Sequence, residues 1–170
     1  MCTREISADE PDGYESPLYL AAKNGHKDAV RQLLDAGAFI ESRDQNDNTP
    51  LMKAAEMNDD DSIVRMLIDR HAYKDARNRQ GMTALNWAVR NFHLQAARYL
   101  VAIGANSTHC YSSGASTSVT VWDDADSRYA NETYRDDHGH VIQGRVRSML
   151  EVLPPRPENF SCPRADSSPL

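Results

Sequence analysis

The chain has 170 residues, 40% of them hydrophobic and 26% charged, with a formal net charge of −6. That is enough apolar material for one domain with tails, and the acidic balance argues against a nucleic acid or anionic membrane held by charge alone, because counterion release needs a clustered basic surface. No stretch approaches the roughly eighteen apolar residues of a membrane span, and the polar start MCTREISADE lacks the apolar segment of a signal peptide, so a cytoplasmic or nuclear protein is expected.

Residues 1–11 read as a flexible tail. From Ser16 onward the chain alternates helix starts and short apolar faces. Ser16-Pro17 and Thr49-Pro50 each combine a capping hydroxyl with a proline at the first helical position, where its missing N–H costs nothing. Leu51, Ala54 and Ala55 make one narrow apolar face, and Val64, Leu67 and Ile68 a second at three-and-four spacing. Neither run is long enough to be stable alone in water. Something must cover them, and self-comparison shows what. "SPLYLAAKNGHKDAVRQLLDAGA" begins at Ser16, "TPLMKAAEMNDDDSIVRMLIDRHA" at Thr49 and "TALNWAVRNFHLQAARYLVAIGA" at Thr83, at intervals of 33 and 34 residues. The extra residue falls in the acidic turn around Asp59-Asp60-Asp61.

Those residues carry a resemblance. Ser16-Pro17-Leu18 with Ala21-Ala22, Thr49-Pro50-Leu51 with Ala54-Ala55, and Thr83-Ala84-Leu85 with Ala88 resemble the T-P-L-x-x-A-A signature of ankyrin repeats, whose period is about 33 residues. The resemblance covers residues 12–106 as three units, about 12–43, 44–77 and 78–106. It implies an all-α solenoid of helix–turn–helix units joined by β-hairpin-like loops.

The signature has physical content of its own. Paired alanines let one helix lie close to its partner and its neighbour. The second helices supply bulk through Val30, Leu33 and Leu34, then Val64, Leu67 and Ile68, then Ala97, Leu100 and Val101. Gly25 and Gly37 are placed to end helices in the left-handed conformation. Asn58 is expected to substitute for the first, and His71 replaces the second at a cost of roughly 1 kcal/mol. Phe92 stands where Gly25 and Asn58 stand, and its neighbour Asn91 is expected to supply that turn. The family's usual His after T-P-L is replaced by Tyr19, Met52 and Asn86, which puts inter-repeat hydrogen bonding in doubt.

Beyond Ala105 the pattern gives way to a Ser/Thr-rich loop over 107–117. Thr120-Val121-Trp122-x-x-Ala125 and the spacing of Val146, Met149 and Leu150 then suggest a divergent capping repeat over 118–153, interrupted by "RYANETYRDDHGH". "LPPRP" closes it and begins a Pro-rich disordered tail over 154–170, whose P-x-x-P favours a helix stop over a ligand for SH3-type domains. Cys2, Cys110 and Cys162 lie far apart in polar or terminal contexts, which fits reduced thiols better than a disulfide framework or a zinc site. The N-x-[ST] triplets at Asn106, Asn131 and Asn159 read as chance without a secretory signal.

Catalytic patterns are weak throughout. Asp136, Asp137, His138 and His140 could hold a metal, but H-x-H alone fixes no geometry. His109-Cys110 lacks a third orienting group. "SSGAST" lacks the context of a nucleophile elbow, and no phosphate-binding glycine motif occurs. No catalytic residue, metal or cofactor is expected. What the resemblance implies instead is a continuous concave face. Carried over by position, its hairpin tips are Arg43, Gln45, Asn46 and Asn48, then Arg77, Arg79, Gln80 and Met82. Its first helices present Lys23, Asn24, Lys53, Glu56, Met57, Trp87, Arg90 and Asn91. Trp, Met and Arg are enriched in interface cores, so a non-catalytic adaptor for a protein partner is expected, monomeric and without nucleic-acid or membrane partners. Trp87 is balanced between contact and inter-repeat packing. The alternatives are a regulatory fragment of a larger enzyme or signalling protein, and a metal-binding C-terminal segment positioned by the repeats.

Overall fold

A computed structural model describes residues 15–58, 60–112, 118–120, 122, 123, 151–158, 160 and 162. Six helices come in three pairs: α1 Pro17–Lys23 with α2 Lys27–Asp35, α3 Pro50–Met57 with α4 Ser62–Asp69, and α5 Ala84–Arg90 with α6 Leu94–Ala102. The middle helix α3 packs against both α1 and α5. Each first helix is started as its sequence dictates. The hydroxyls of Ser16, Thr49 and Thr83 accept from the N–H groups of Tyr19, Met52 and Asn86. The third unit lacks the proline, and there the Asn86 side chain reaches back to the Thr83 N–H, closing a reciprocal cap. Between the helices lie Ala22, Ala54, Ala55, Ala88, Val64, Leu67 and Leu100, all fully buried. Removing a leucine such as Leu67 from water contributes on the order of 2 kcal/mol, and no unit could collect that alone.

The hairpins are tied to one another by a buried polar ladder. Asp44 Oδ1 accepts from the backbone N–H groups of Asn46 and Asn48, both at 2.8 Å. Its Oδ2 accepts from Asn48 Nδ2 at 2.9 Å and from the Tyr19 hydroxyl at 2.6 Å. Asn78 repeats the arrangement one unit later, with Oδ1 accepting from Gln80 and Met82 and Nδ2 donating to Asn48 Oδ1 at 2.8 Å. The loss of inter-repeat bonding expected from Tyr19 therefore does not occur, because its phenol reaches the next hairpin. Burial and the Asp44 contact hold the Tyr19 phenol far above its ordinary range. Burial alone would raise Asp44, but the bonds from Tyr19 and Asn48 outweigh it and keep its carboxyl below the usual carboxylate range.

Further links recur with the period. Ala22 O accepts from Asn58 Nδ2 at 3.0 Å, and the equivalent Ala55 O accepts from His93 Nδ1 at 2.9 Å. Glu41 accepts from the Tyr73 N–H and Asp75 from the Asn106 N–H. Outside, Lys27 pairs with Asp60 and Arg70 with Asp35. The Lys27 ammonium and the Ser62 N–H pull the Asp60 carboxyl down to about 2.

His71 is left-handed at φ 67°, as expected. Two neighbouring expectations are corrected. Asn58 is extended at φ −124° rather than left-handed. The longer turn after it removes the need for a tight reversal, and its side chain bonds to Ala22 O and Ala54 O instead. A Cβ on Gly25 would meet that Asn58 Oδ1 at 2.6 Å and push the amide aside, and the φ of 73° at Gly25 itself favours glycine. In the third unit Phe92 itself adopts φ 59°, while Asn91 stays at −98°. Phe92 is 8% exposed, and burial of its ring offsets the backbone strain.

The end of the chain departs furthest from expectation. β1 Tyr111–Ser112, within the stretch read as a loop, pairs antiparallel with β2 Ser118–Val119, at the start of the stretch read as a capping repeat, Tyr111 opposite Val119. Cys110 and Cys162 are not reduced thiols but a disulfide, with Cα atoms 5.7 Å apart across a sequence separation of 52. The tail expected to pack nothing returns to the array. Trp122 donates from Nε1 to Pro154 O at 3.0 Å and meets the Phe160 ring edge-on. Arg156 pairs with Asp123 at 3.0 Å. Trp122 and Leu153 join the common core. Thr120 and Asp123 cap each other reciprocally. Residues 1–11, Val146, Met149, Leu150, His138, His140 and residues 163–170 lie outside the described residues.

Candidate partner-binding surface

Helices α3 and α5 place Lys53, Trp87 and Arg90 together. Lys53 Nζ lies 5.4 Å and Arg90 Cζ 5.9 Å from the Trp87 ring centroid, so two cations lie close to the indole. Lys53 also binds Glu56 at 2.6 Å, and with side-chain exposures of only 14% and 19% that pair is poorly screened. Trp87 is half-buried, and its Nε1 is covered without a hydrogen-bond partner. The ring packs against the core while part of it stays exposed near the two cations. Met57 and Leu20, on neighbouring first helices, are exposed, as is Asn91, which donates to Trp87 O at 3.0 Å.

The hairpins add a row of cations. Arg43 Nη1 donates to Arg77 O at 3.0 Å and to Asp47 O at 3.3 Å. Arg77 in turn lies against the His109 ring. Arg79 reaches Asp47 Oδ2 at 3.3 Å. Among the described residues no carboxylate faces Arg43 or Arg77 within ion-pair distance. Burial and the Arg77 guanidinium hold the His109 imidazolium pKa below its ordinary value, against a weaker opposing pull from Asp75. Gln45 and Asn46 are exposed beside this row, and Asn46 O accepts from the Arg79 N–H at 3.0 Å.

Two candidates are corrected. Met82 is fully buried: its N–H is held by Asn78, its carbonyl by the Asn78 N–H, and Arg90 Nη1 lies 3.9 Å from its sulfur. Asn48 is a rung of the ladder at 3% exposure. Sequence reasoning missed three surface features. His109 was weighed only as a catalytic partner of Cys110. Phe39 and Tyr73, at equivalent positions of successive units, are exposed at 63% and 62%. Aromatic residues after "GA" and "HA", where polar ones suit an exposed bend, were the available signal. Among the described residues no group of three or more His, Cys, Asp or Glu is placed to hold a metal, and no helix is long and apolar enough to cross a membrane.

Three capped helix pairs, small residues between them and hairpins joined by a periodic ladder define an ankyrin-type solenoid. A family model for ankyrin repeats matches residues 18–109 in three copies, more than half of the chain, and the chain belongs to the ankyrin repeat family. It is similar to the ankyrin repeat and KH domain-containing protein mask-1 of Caenorhabditis elegans, 41% identical over 55% of this chain and 4% of that protein. It is also similar to an E3 ubiquitin-protein ligase of Arabidopsis thaliana, 34% identical over 53% of this chain and 18% of the ligase. A nuclear factor NF-kappa-B subunit of Gallus gallus is 31% identical over 56% of this chain and 10% of that subunit. The matches thus span less than a fifth of each of these relatives. Ankyrin repeats are in general protein–protein interaction modules.

Proposed function

We propose that this chain is a non-catalytic, monomeric adaptor that binds a protein partner through the concave face of its array, in the cytoplasm or nucleus and without nucleic acid or membrane as ligand. The observation that supports this most directly is half-buried Trp87 with Lys53 and Arg90 close to its ring, and exposed Met57 on the neighbouring first helix. An aromatic anchor flanked by cations suits a partner with acidic and apolar features, because charge orients the encounter while the ring supplies affinity. Arg43 and Arg77, which face no carboxylate among the described residues, extend the same potential along the hairpins. Gln45, Asn46, Glu56, Arg79 and Asn91 complete the rim.

The test is an affinity capture comparing wild type with an Arg77/Arg79/Trp87 triple-alanine variant, both shown to be folded by circular dichroism. Specific partners should weaken by roughly thirtyfold or more, the scale of losing a hot spot. Partners that all survive the substitution would place binding elsewhere. A second reading is that these repeats serve a larger enzyme or signalling protein, since the ligase relative carries its matching stretch within a chain several times longer.

A further inference from the structure

The far end of the array is closed differently from its interior. Cys110 belongs to the hairpin that follows the third unit, which is anchored without it: Ser112 N donates to Gln80 O at 2.9 Å, and the Cys110 carbonyl sits so close to Gly81 that a Cβ there would lie only 3.3 Å from it. Cys162 belongs to the C-terminal segment. Residues 154–158 are all exposed, and the segment touches the array through Leu153, the Phe160 ring, the Arg156–Asp123 pair and the bond from Trp122 to Pro154 O. Beneath it lies Trp122, 5% exposed. Both cysteines are half-buried, not sealed in the core. Helices α1 to α6 and the ladder make no use of the bond.

We propose that the Cys110–Cys162 disulfide is a redox-operated strap: oxidised, it holds residues 154–158 and Phe160 against Trp122 at the far end of the array, and reduced, it lets that segment lift and bares the Trp122 indole. The exchange is with a dithiol. Its thiolate attacks one sulfur of the bridge to give a mixed disulfide and releases the other cysteine. Its second thiol then displaces the first cysteine, so the dithiol leaves as a disulfide, and two electrons and two protons end on Cys110 and Cys162. The reverse exchange, with the oxidised dithiol, closes the strap. This inference stands apart from the proposed partner face, because it involves neither Trp87 nor the arginine row.

The full chain carrying Cys2→Ser, which leaves only this cysteine pair, would be equilibrated in mixtures of oxidised and reduced dithiothreitol. Three quantities are read together: thiols by maleimide mass shift, Trp122 emission in a Trp87→Phe background, and the rate of cleavage after Glu158 by a glutamate-specific protease. The expected result is a single midpoint shared by all three. On reduction two thiols appear, Trp122 emission moves to longer wavelength, cleavage accelerates at least tenfold, and the far-ultraviolet helical signal is retained. A Cys110→Ser/Cys162→Ser variant in the fully oxidised couple should reproduce the reduced chain. Thiols that label at every ratio would overturn the bond. A bond that opens without moving Trp122 or the cleavage rate would overturn the strap, and loss of the helical signal on reduction would make it a global staple instead.

Discussion

The junctions between successive units and the end of the third unit meet the same problem by different means. Inside the array each unit is closed by its neighbour, and the closing groups recur with the period: Asp44 and Asn78 in the hairpins, Ala22 O and Ala55 O at the helix ends, Glu41 and Asp75 beneath the bends. At the far end, among the described residues, cover comes from a segment distant in sequence, through one disulfide, the bond from Trp122 to Pro154 O and the Arg156–Asp123 pair. A repeat protein distributes its stability over nearest-neighbour interfaces. Damage to a rung should therefore spread, whereas damage to the strap should stay local.

The sharpest way to break that contrast is Asp44→Ala. It orphans the buried Tyr19 hydroxyl, the Asn48 amide and two hairpin N–H groups at once. The expected loss is about 3 to 4 kcal/mol by urea denaturation, since each unsatisfied buried group costs on the order of 1 kcal/mol or more. A midpoint within error of wild type would show that water replaces the carboxylate at no cost.

Next is the strap. Cys110→Ser/Cys162→Ser should cost about 2 to 3 kcal/mol under oxidising conditions, within the typical range for a bridge. Protection in native-state hydrogen exchange should fall near 105–112 and in the tail while α1 to α4 keep theirs. Uniform loss across all six helices would contradict the local character of this end.

Third in size is a comparison of two left-handed positions, His71 in unit two and Phe92 in unit three. His71 is exposed and left-handed at φ 67°, so His71→Gly relieves strain without removing packing and should stabilise by about 0.5 to 1 kcal/mol. Phe92→Gly relieves the same kind of strain but empties a buried ring site, and should destabilise by about 2 kcal/mol net. Chemical denaturation of the pair decides; equal signs would mean that burial does not govern which residue tolerates positive φ here.

What could be read from the sequence was whatever the period repeats. Caps at Ser16, Thr49 and Thr83, the buried alanines and the left-handed His71 all follow from local pattern. The role of Tyr19 did not, because its partner Asp44 lies 25 residues away and only the fold brings a phenol to that carboxylate. Cys110 and Cys162 were hidden for the same reason at twice the distance, behind a compositional expectation of free thiols. Of the candidate face, Lys53, Trp87 and Arg90 converge, whereas Met82 turned inward. Its place directly before Thr83 matches that of Asn48 before Thr49, and both residues are bonded inward to the head of their own hairpin. An apolar residue in an otherwise polar loop was the clue to its burial.

The smallest effect belongs to His109, at the seam between the two regions, since it touches Arg77 on one side and adjoins Cys110 on the other. In the folded chain its pKa is depressed by burial and by Arg77, with Asp75 opposing. Between the folded value and the ordinary value near 6.5, the unfolded chain binds more protons than the folded one. Stability contributed by neutral His109 is thus fully present above about pH 6.5 and is lost as pH falls through the folded value. Asp44 and Asp60 act in a separate window, because their depressed carboxyls hold full stabilisation down to about pH 4 and lose it below. Wild type should therefore weaken slightly between pH 7 and 5 relative to His109→Gln, which keeps a polar side chain beside Arg77 but cannot gain the proton. Denaturation midpoints of the two proteins, taken across that interval, should converge as pH rises and separate as it falls. Parallel profiles would show that protonated His109 is accommodated without cost, and that the cation row tolerates a further charge.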